Sequence, residues 1–154
     1  MFVLQCKPLK HRKAVFIGGA ALLLVICVAL FAACHRRTPA DTARAGDREY
    51  SLKAENGGYS AFFSQLGIET DGEPCARQTV TIPGEFNEVY EAYNELQRHA
   101  GLDLTRYRGE EAEKLTFSVR SGKMPYAVIL VRQGRVIGGH LTDGEYGSEP
   151  LPLI

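Results

Sequence analysis

Acidic side chains are missing from the first 40 residues of this chain, and Asp41 is the first. Lys7, Lys10, Arg12 and Lys13 stand there instead, so the N-terminal end is basic although the whole chain sums to zero charge. Paired cysteines are missing too. Of Cys6, Cys27, Cys34 and Cys75, only Cys75 lies well inside the C-terminal part, which excludes an internal disulfide framework there. No C-x-x-C is present for a metal or redox site. Nor does the chain carry a phosphate-binding G-x-x-x-x-G-K-[ST], an H-E-x-x-H, a G-x-S-x-G or an EF-hand loop. Residues 35–154 hold 14 Lys plus Arg against 18 Asp plus Glu, so the basic footprint of a nucleic-acid binder is lacking.

What the chain does have is one long apolar run. Ala14–Ala33 is 20 residues without a charge, 11 of them Leu, Ile, Val or Phe. As a helix it measures about 30 Å, the thickness of a bilayer's hydrocarbon core. Those 11 residues favour insertion by about 3–7 kcal/mol. Four basic residues precede the run and two, Arg36 and Arg37, follow it. That balance predicts a single-pass protein of the cell membrane, N-terminus cytoplasmic and C-terminal domain outside. Three fates compete for the segment. An uncleaved signal anchor is favoured by its length. A lipoprotein signal is the second, since Leu30–Cys34 resembles a lipobox that would make Cys34 a lipidation site; Phe31 departs from the usual Leu. A cleaved secretion signal is the third.

The expected organisation is a cytoplasmic basic tail over 1–13, a transmembrane anchor over 14–33, a linker over 34–55, an extracytoplasmic α+β domain over 56–143 and a flexible tail over 144–154. The linker reading rests on His35–Ser51, which is charged, rich in small residues and without an apolar period. In Gly57–Leu66, Tyr59, Phe62, Phe63 and Leu66 share one helical face, Asn56 can cap the start and Gly67 can end it. Arg77–Ile82 alternates as a strand, and Pro83-Gly84 stops it. Glu85–Ala100 reads as a second helix, with Phe86, Val89, Tyr90, Tyr93 and Leu96 as its buried stripe and Glu85, Glu88, Glu91 and Glu95 as a solvated face. Lys114–Arg120, Pro125–Val131 and Val136–Leu141 read as a three-stranded antiparallel meander. Its middle strand is apolar on both faces, and Gln133-Gly134 turns tightly into the last strand. That turn sets Val131 beside Val136 and Ile129 beside Gly138, with Gly138-Gly139 marking a bulge or a close backbone approach. Two helices therefore pack on a three- or four-stranded, mostly antiparallel sheet.

The order of these elements resembles a known family. Leu66-Gly67-Ile68 precedes Val80-Thr81-Ile82-Pro83, then Glu85–Tyr90, Tyr93–Gln97 and Gly101–Leu104, and the chain closes with Gly134–Gly139. This pattern is similar to the bacterial domain-of-unknown-function family 4830 over roughly Tyr59 to Leu141. The resemblance implies a short, single-span, membrane-anchored protein and implies no activity, cofactor or site residue.

Candidate chemistry is sparse. Gly138-Gly139-His140 with Asp143 and Glu145 is the one dense polar cluster near a strand end, and one histidine with two acids in a tail does not fix a metal's geometry. Cys75 with His99 or His140 would make a reactive pair if the fold brought them together. No catalytic, cofactor-binding or metal residue is therefore assigned. The expected function is a non-enzymatic binding or sensing module of the cell envelope; the alternative is a small cell-envelope hydrolase. The expected partners are the lipid bilayer, through residues 14–33, and an envelope protein.

Overall fold

The computed structural model describes residues 41–54 and 58–154. The apolar run 14–33, Cys34 and the capping residue Asn56 lie outside the described residues. Among the described residues, no helix is long and apolar enough to cross a membrane.

The described chain is a small α+β domain. A hairpin of β1 (Thr42–Ala45) and β2 (Arg48–Ser51) comes first, followed by α1 (Tyr59–Leu66), β3 (Ala76–Thr81) and α2 (Glu88–His99). A 3-10 turn (Leu104–Tyr107) leads to β4 (Glu111–Ser118), β5 (Tyr126–Arg132) and β6 (Arg135–Thr142). The last four strands form one antiparallel sheet in the order β3-β4-β5-β6. The meander expected from the pattern is present, β3 extends it to four, and β5, whose stretch Ala127–Val131 is buried and apolar on both faces, is interior. Gln133 and Gly134 both take positive φ (50° and 72°), as a two-residue turn between tightly paired strands requires.

The sheet is covered on both faces. On one side, Phe62 and Phe63 of α1 and Tyr50 of β2 pack with Leu115, Phe117, Ile129 and Val136. On the other, Tyr90 and Tyr93 of α2 and Leu104 of the 3-10 turn pack with Ala112, Leu130 and Ile137. α1 ends as expected at Gly67 in the left-handed conformation (φ 74°). α2 starts at Asn87, whose side chain accepts the Tyr90 N–H at 2.9 Å. It ends in paired bonds, Gly101 N–H to Arg98 carbonyl and Leu102 N–H to Gln97 carbonyl, at 2.9 and 3.0 Å.

Four expectations are corrected. Residues 42–51 are not a linker: β1 and β2 pair through a two-residue Gly46-Asp47 loop, and Ala43 and Tyr50 enter the core. They belong to the domain because the segment that follows them continues along β6, with the Val136 N–H on the Leu52 carbonyl and the Ala54 N–H on the Gly134 carbonyl, both at 2.8 Å. Residues 144–154 are not wholly loose. Leu151 pairs with Leu141 at the outer edge of β6, and Leu153 is 4% exposed within the α1-side core. The register of the β5–β6 pair moves by one, so Gly139, not Gly138, faces Ile129, because Ile137 is inserted as a bulge opposite Leu130/Val131. Lastly, α2 keeps Phe86, Tyr90 and Tyr93 of the expected stripe against the sheet but is rotated so that Val89 leaves it.

Candidate functional site

That rotation decides what α2 offers to its surroundings. Side chains along a helix advance by about 100° per residue. The expected stripe runs round the helix from Leu96 through Val89, Tyr93 and Phe86 to Tyr90. Phe86, Tyr90 and Tyr93 do pack inward, and the buried face extends past Tyr90 to Gln97 and Asn94 while Val89 leaves it. Asn94 and Gln97 are 0% exposed, whereas Val89 is 77% exposed. Two amides are inside and a valine is outside, which reverses the usual partition.

The amides are tolerated because each meets its partners. Asn94 Oδ1 accepts the Leu104 N–H at 2.8 Å, and its Nδ2 donates to Asp103 Oδ1 at 3.2 Å. Asp103 also takes the Thr105 N–H and hydroxyl at 3.0 and 2.7 Å. Its carboxyl lies below the usual range: burial opposes that, and the bonds from Thr105 and Asn94 outweigh it. Gln97 Oε1 accepts the Gly139 N–H at 2.6 Å, and its Nε2 donates to the Tyr93 carbonyl at 3.3 Å. A buried polar group so satisfied fixes position more sharply than an apolar contact of the same size.

These bonds also explain the glycine pair in β6. A Cβ on Gly138 would meet Leu104 Cδ2 at 3.1 Å and Gln97 Oε1 at 3.3 Å. On Gly139 it would meet Leu153 Cδ1 at 2.6 Å and the Val128 carbonyl oxygen at 2.8 Å. One glycine admits the α2 amide and the other admits the C-terminal leucine, so the close approach read from the sequence is real on both faces. The outward N–H groups of Val136, Gly139 and Leu141 are met by Leu52, Gln97 and Leu151 in turn.

The residues singled out for chemistry do not converge. Thr116, Val128 and His140 are successive register partners across the sheet. The Cys75 N–H bonds the Thr116 carbonyl at 2.8 Å, which leaves the Cys75 backbone three strand spacings, about 14 Å, from that of His140. Cys75 is an exposed free thiol, its Sγ 3.3 Å from that same carbonyl oxygen. His99 is exposed at the end of α2. His140 is turned inward, sharing a hydrogen bond of 3.0 Å between Nδ1 and the Tyr93 hydroxyl. Burial, helped by the Lys114 charge, pulls its pKa from 6.5 down to about 4, so the ring is neutral at neutral pH. Burial likewise pushes the Tyr93 hydroxyl upward, aided by Tyr90. Asp143 is engaged in its own turn, accepting from Glu145 N–H at 2.9 Å and from the Ser148 hydroxyl. Among the described residues, no group of three or more His, Cys, Asp and Glu is arranged to hold a metal ion.

Two surface grooves stand out. One, of about 410 Å³, is lined by Glu111, Glu113, Arg132 and the β5–β6 turn. It carries two carboxylates exposed to water on an open rim and no histidine, cysteine or hydroxyl. The other, of about 430 Å³, lies between α2 and the C-terminal segment, and its lining is Val89, Ala92, Tyr93, Leu96, Glu149 and Pro150. The sequence marked Val89 and Leu96 as apolar and periodic but placed them in the core. Val89 is exposed and Leu96 half-buried. The sign of this is the second apolar-to-polar phase on the same helix, Tyr90, Asn94 and Gln97, and it is visible only once the partners of the amides are known.

A family model described as a domain of unknown function, DUF4830, matches residues 63–141. The chain belongs to this family. The DUF4830 match begins inside α1 and ends one residue before the end of β6, so it contains α2 and nearly all of the four-stranded sheet. The β1–β2 hairpin and Leu153 lie outside it although both contribute to the core. No curated protein and no solved structure matches the chain.

Proposed function

We propose that this protein is a membrane-anchored binding or sensing module of the bacterial cell envelope, with no reaction of its own. In this reading residues 14–33 span the membrane once, the N-terminus is cytoplasmic and the domain stands outside. The apolar length of that run and the four-to-two balance of basic residues around it support the placement. The observation that carries the binding role is the reversed partition on α2. Val89, Ala92 and Leu96 line an open groove while Asn94 and Gln97 hold the helix from beneath. A helix fixed by amides has no structural need for apolar residues on its outer flank, and an exposed apolar groove of this kind marks an interaction surface.

The test is made in intact cells with the full chain. A photo-cross-linking side chain replaces Val89 in one version and Arg98, half a turn away on the far side of α2, in another. The expected result is a discrete adduct from position 89 and none from 98. An equal pattern from both positions, or none from 89, overturns the binding role. External protease should remove the domain from spheroplasts without lysis; protection there overturns the topology.

A further inference from the structure

Taking that groove as the binding surface, we infer that its occupant is a basic amphipathic helix carried by a partner protein close to the membrane. The floor is apolar over two turns of α2, from Val89 to Leu96, or about 10 Å. That is the length in which a partner helix presents anchors at i, i+3 or i+4, and i+7. The rim is acidic. Glu149 borders the groove from the C-terminal segment. Glu88 and Glu95 flank it on α2, each about 100° from the floor residues Val89 and Leu96. The basic side chains of α2 are Arg98 and His99. Arg98 lies half a turn round from Val89 and is paired with Glu95 at 2.7 Å; His99, at the end of the helix, borders Leu96. The described residues carry 12 Lys plus Arg against 17 Asp plus Glu, so the long-range field also favours a cationic partner.

The same charges disfavour the bilayer as occupant, because anionic headgroups would face an acidic rim. Closeness to the membrane rests on the proposed span and the short tether after it. Seven residues separate Ala33 from Asp41, which reach at most about 25–30 Å.

The test uses the full chain in zwitterionic nanodiscs, with the photo-cross-linking side chain in place of Val89. Three 18-residue probe peptides are compared: a Leu/Lys helix with apolar residues at i, i+3, i+4 and i+7, its Leu/Glu counterpart, and a Leu/Lys peptide of scrambled order. Empty nanodiscs control for peptide bound to lipid. The Leu/Lys helix should label saturably, and Glu88→Lys with Glu149→Lys should weaken it about tenfold. Labelling by the Leu/Glu or the scrambled peptide at equal strength overturns the basic-helix inference and leaves the apolar groove standing. Adducts to lipid in place of peptide show that the groove docks on the bilayer and overturn it as well. No labelling by any probe also overturns it, while the adduct from position 89 in cells still decides whether the groove binds anything.

Discussion

The two faces of the four-stranded sheet are built on different physics. The α1 side is a volume-filling core. Phe62, Phe63 and Phe117 are fully buried, and the Phe62–Phe63 and Phe63–Phe117 rings meet edge to face at 5.5 and 4.9 Å. Tyr50 joins them, its hydroxyl donating to the Ala100 carbonyl and its pKa pushed up to about 12 by burial. Such a core is strong and tolerant of direction, since hydrophobic burial has none. The α2 side is a directed core. Asn94, Gln97, Asp103 and the Tyr93–His140 pair hold the helix by bonds that fail if it rotates. The contrast shows why α2 can carry an apolar residue outward: amides already fix its orientation, so Val89 is free of that task.

The largest way to break this contrast is Phe117→Ala. Removing a fully buried ring should cost about 3–5 kcal/mol, read as a fall in the denaturant midpoint. A loss below about 1 kcal/mol would mean that the α1 side is not a filled core.

Acid should discriminate between the faces next. His140 belongs to the α2 side and is neutral when folded, with a pKa near 4. Unfolded, it takes up a proton near pH 6.5. Between those values the unfolded chain holds more protons, so this contribution to stability is complete above pH 6.5 and is lost as pH falls towards 4. The loss amounts to roughly 3 kcal/mol. Stability measured from pH 7.5 to 4 in the wild type and in His140→Gln isolates it, since carboxylates contribute equally to both. Parallel curves would refute the buried neutral ring.

Gln97→Leu should cost less, about 1–3 kcal/mol, by leaving the Gly139 N–H buried without its acceptor. Hydrogen exchange at Gly139 should accelerate in the variant. An unchanged rate would show that the amide does not position the helix.

How much of this could be read from the chain divides along the same line. The α1 side was legible because its signals are local: the Phe62/Phe63 period, the alternation of Leu115 and Phe117, the apolar β5 and the Gln133-Gly134 turn all act within a few residues. The hairpin was missed because its inward residues before the turn are small. Ala43 and Ala45 make a faint alternation, and Gly46-Asp47, a known two-residue loop type, was the one sign of it. The α2 side is legible only in part: periodicity places Phe86, Tyr90 and Tyr93 inward, but it takes polar residues as outward. Asn94 and Gln97 are inward only because Leu104, Asp103 and Gly139 come from distant parts of the sequence to meet them. Cys75, His99 and His140 were sound as candidates and are separated by the strand order, which no local pattern carries.

The smallest expected effect is the sharpest test of the rotation. Val89 is 77% exposed, so it buries little apolar area on folding. Serine and valine have similar helix propensities, so Val89→Ser should leave the helix itself nearly unchanged. The midpoint should therefore move by no more than about 0.5 kcal/mol. Tyr93→Ala, four residues on, removes a ring packed against Tyr90 and His140 and should cost at least about 2 kcal/mol. Glu91→Ala, which removes an exposed ion pair with Arg108 at 3.4 Å, should resemble Val89→Ser. If Val89→Ser instead approaches Tyr93→Ala, then valine is part of the core. α2 would then sit with Val89 and Leu96 inward and both amides towards water, and there would be no apolar groove for a partner to fill.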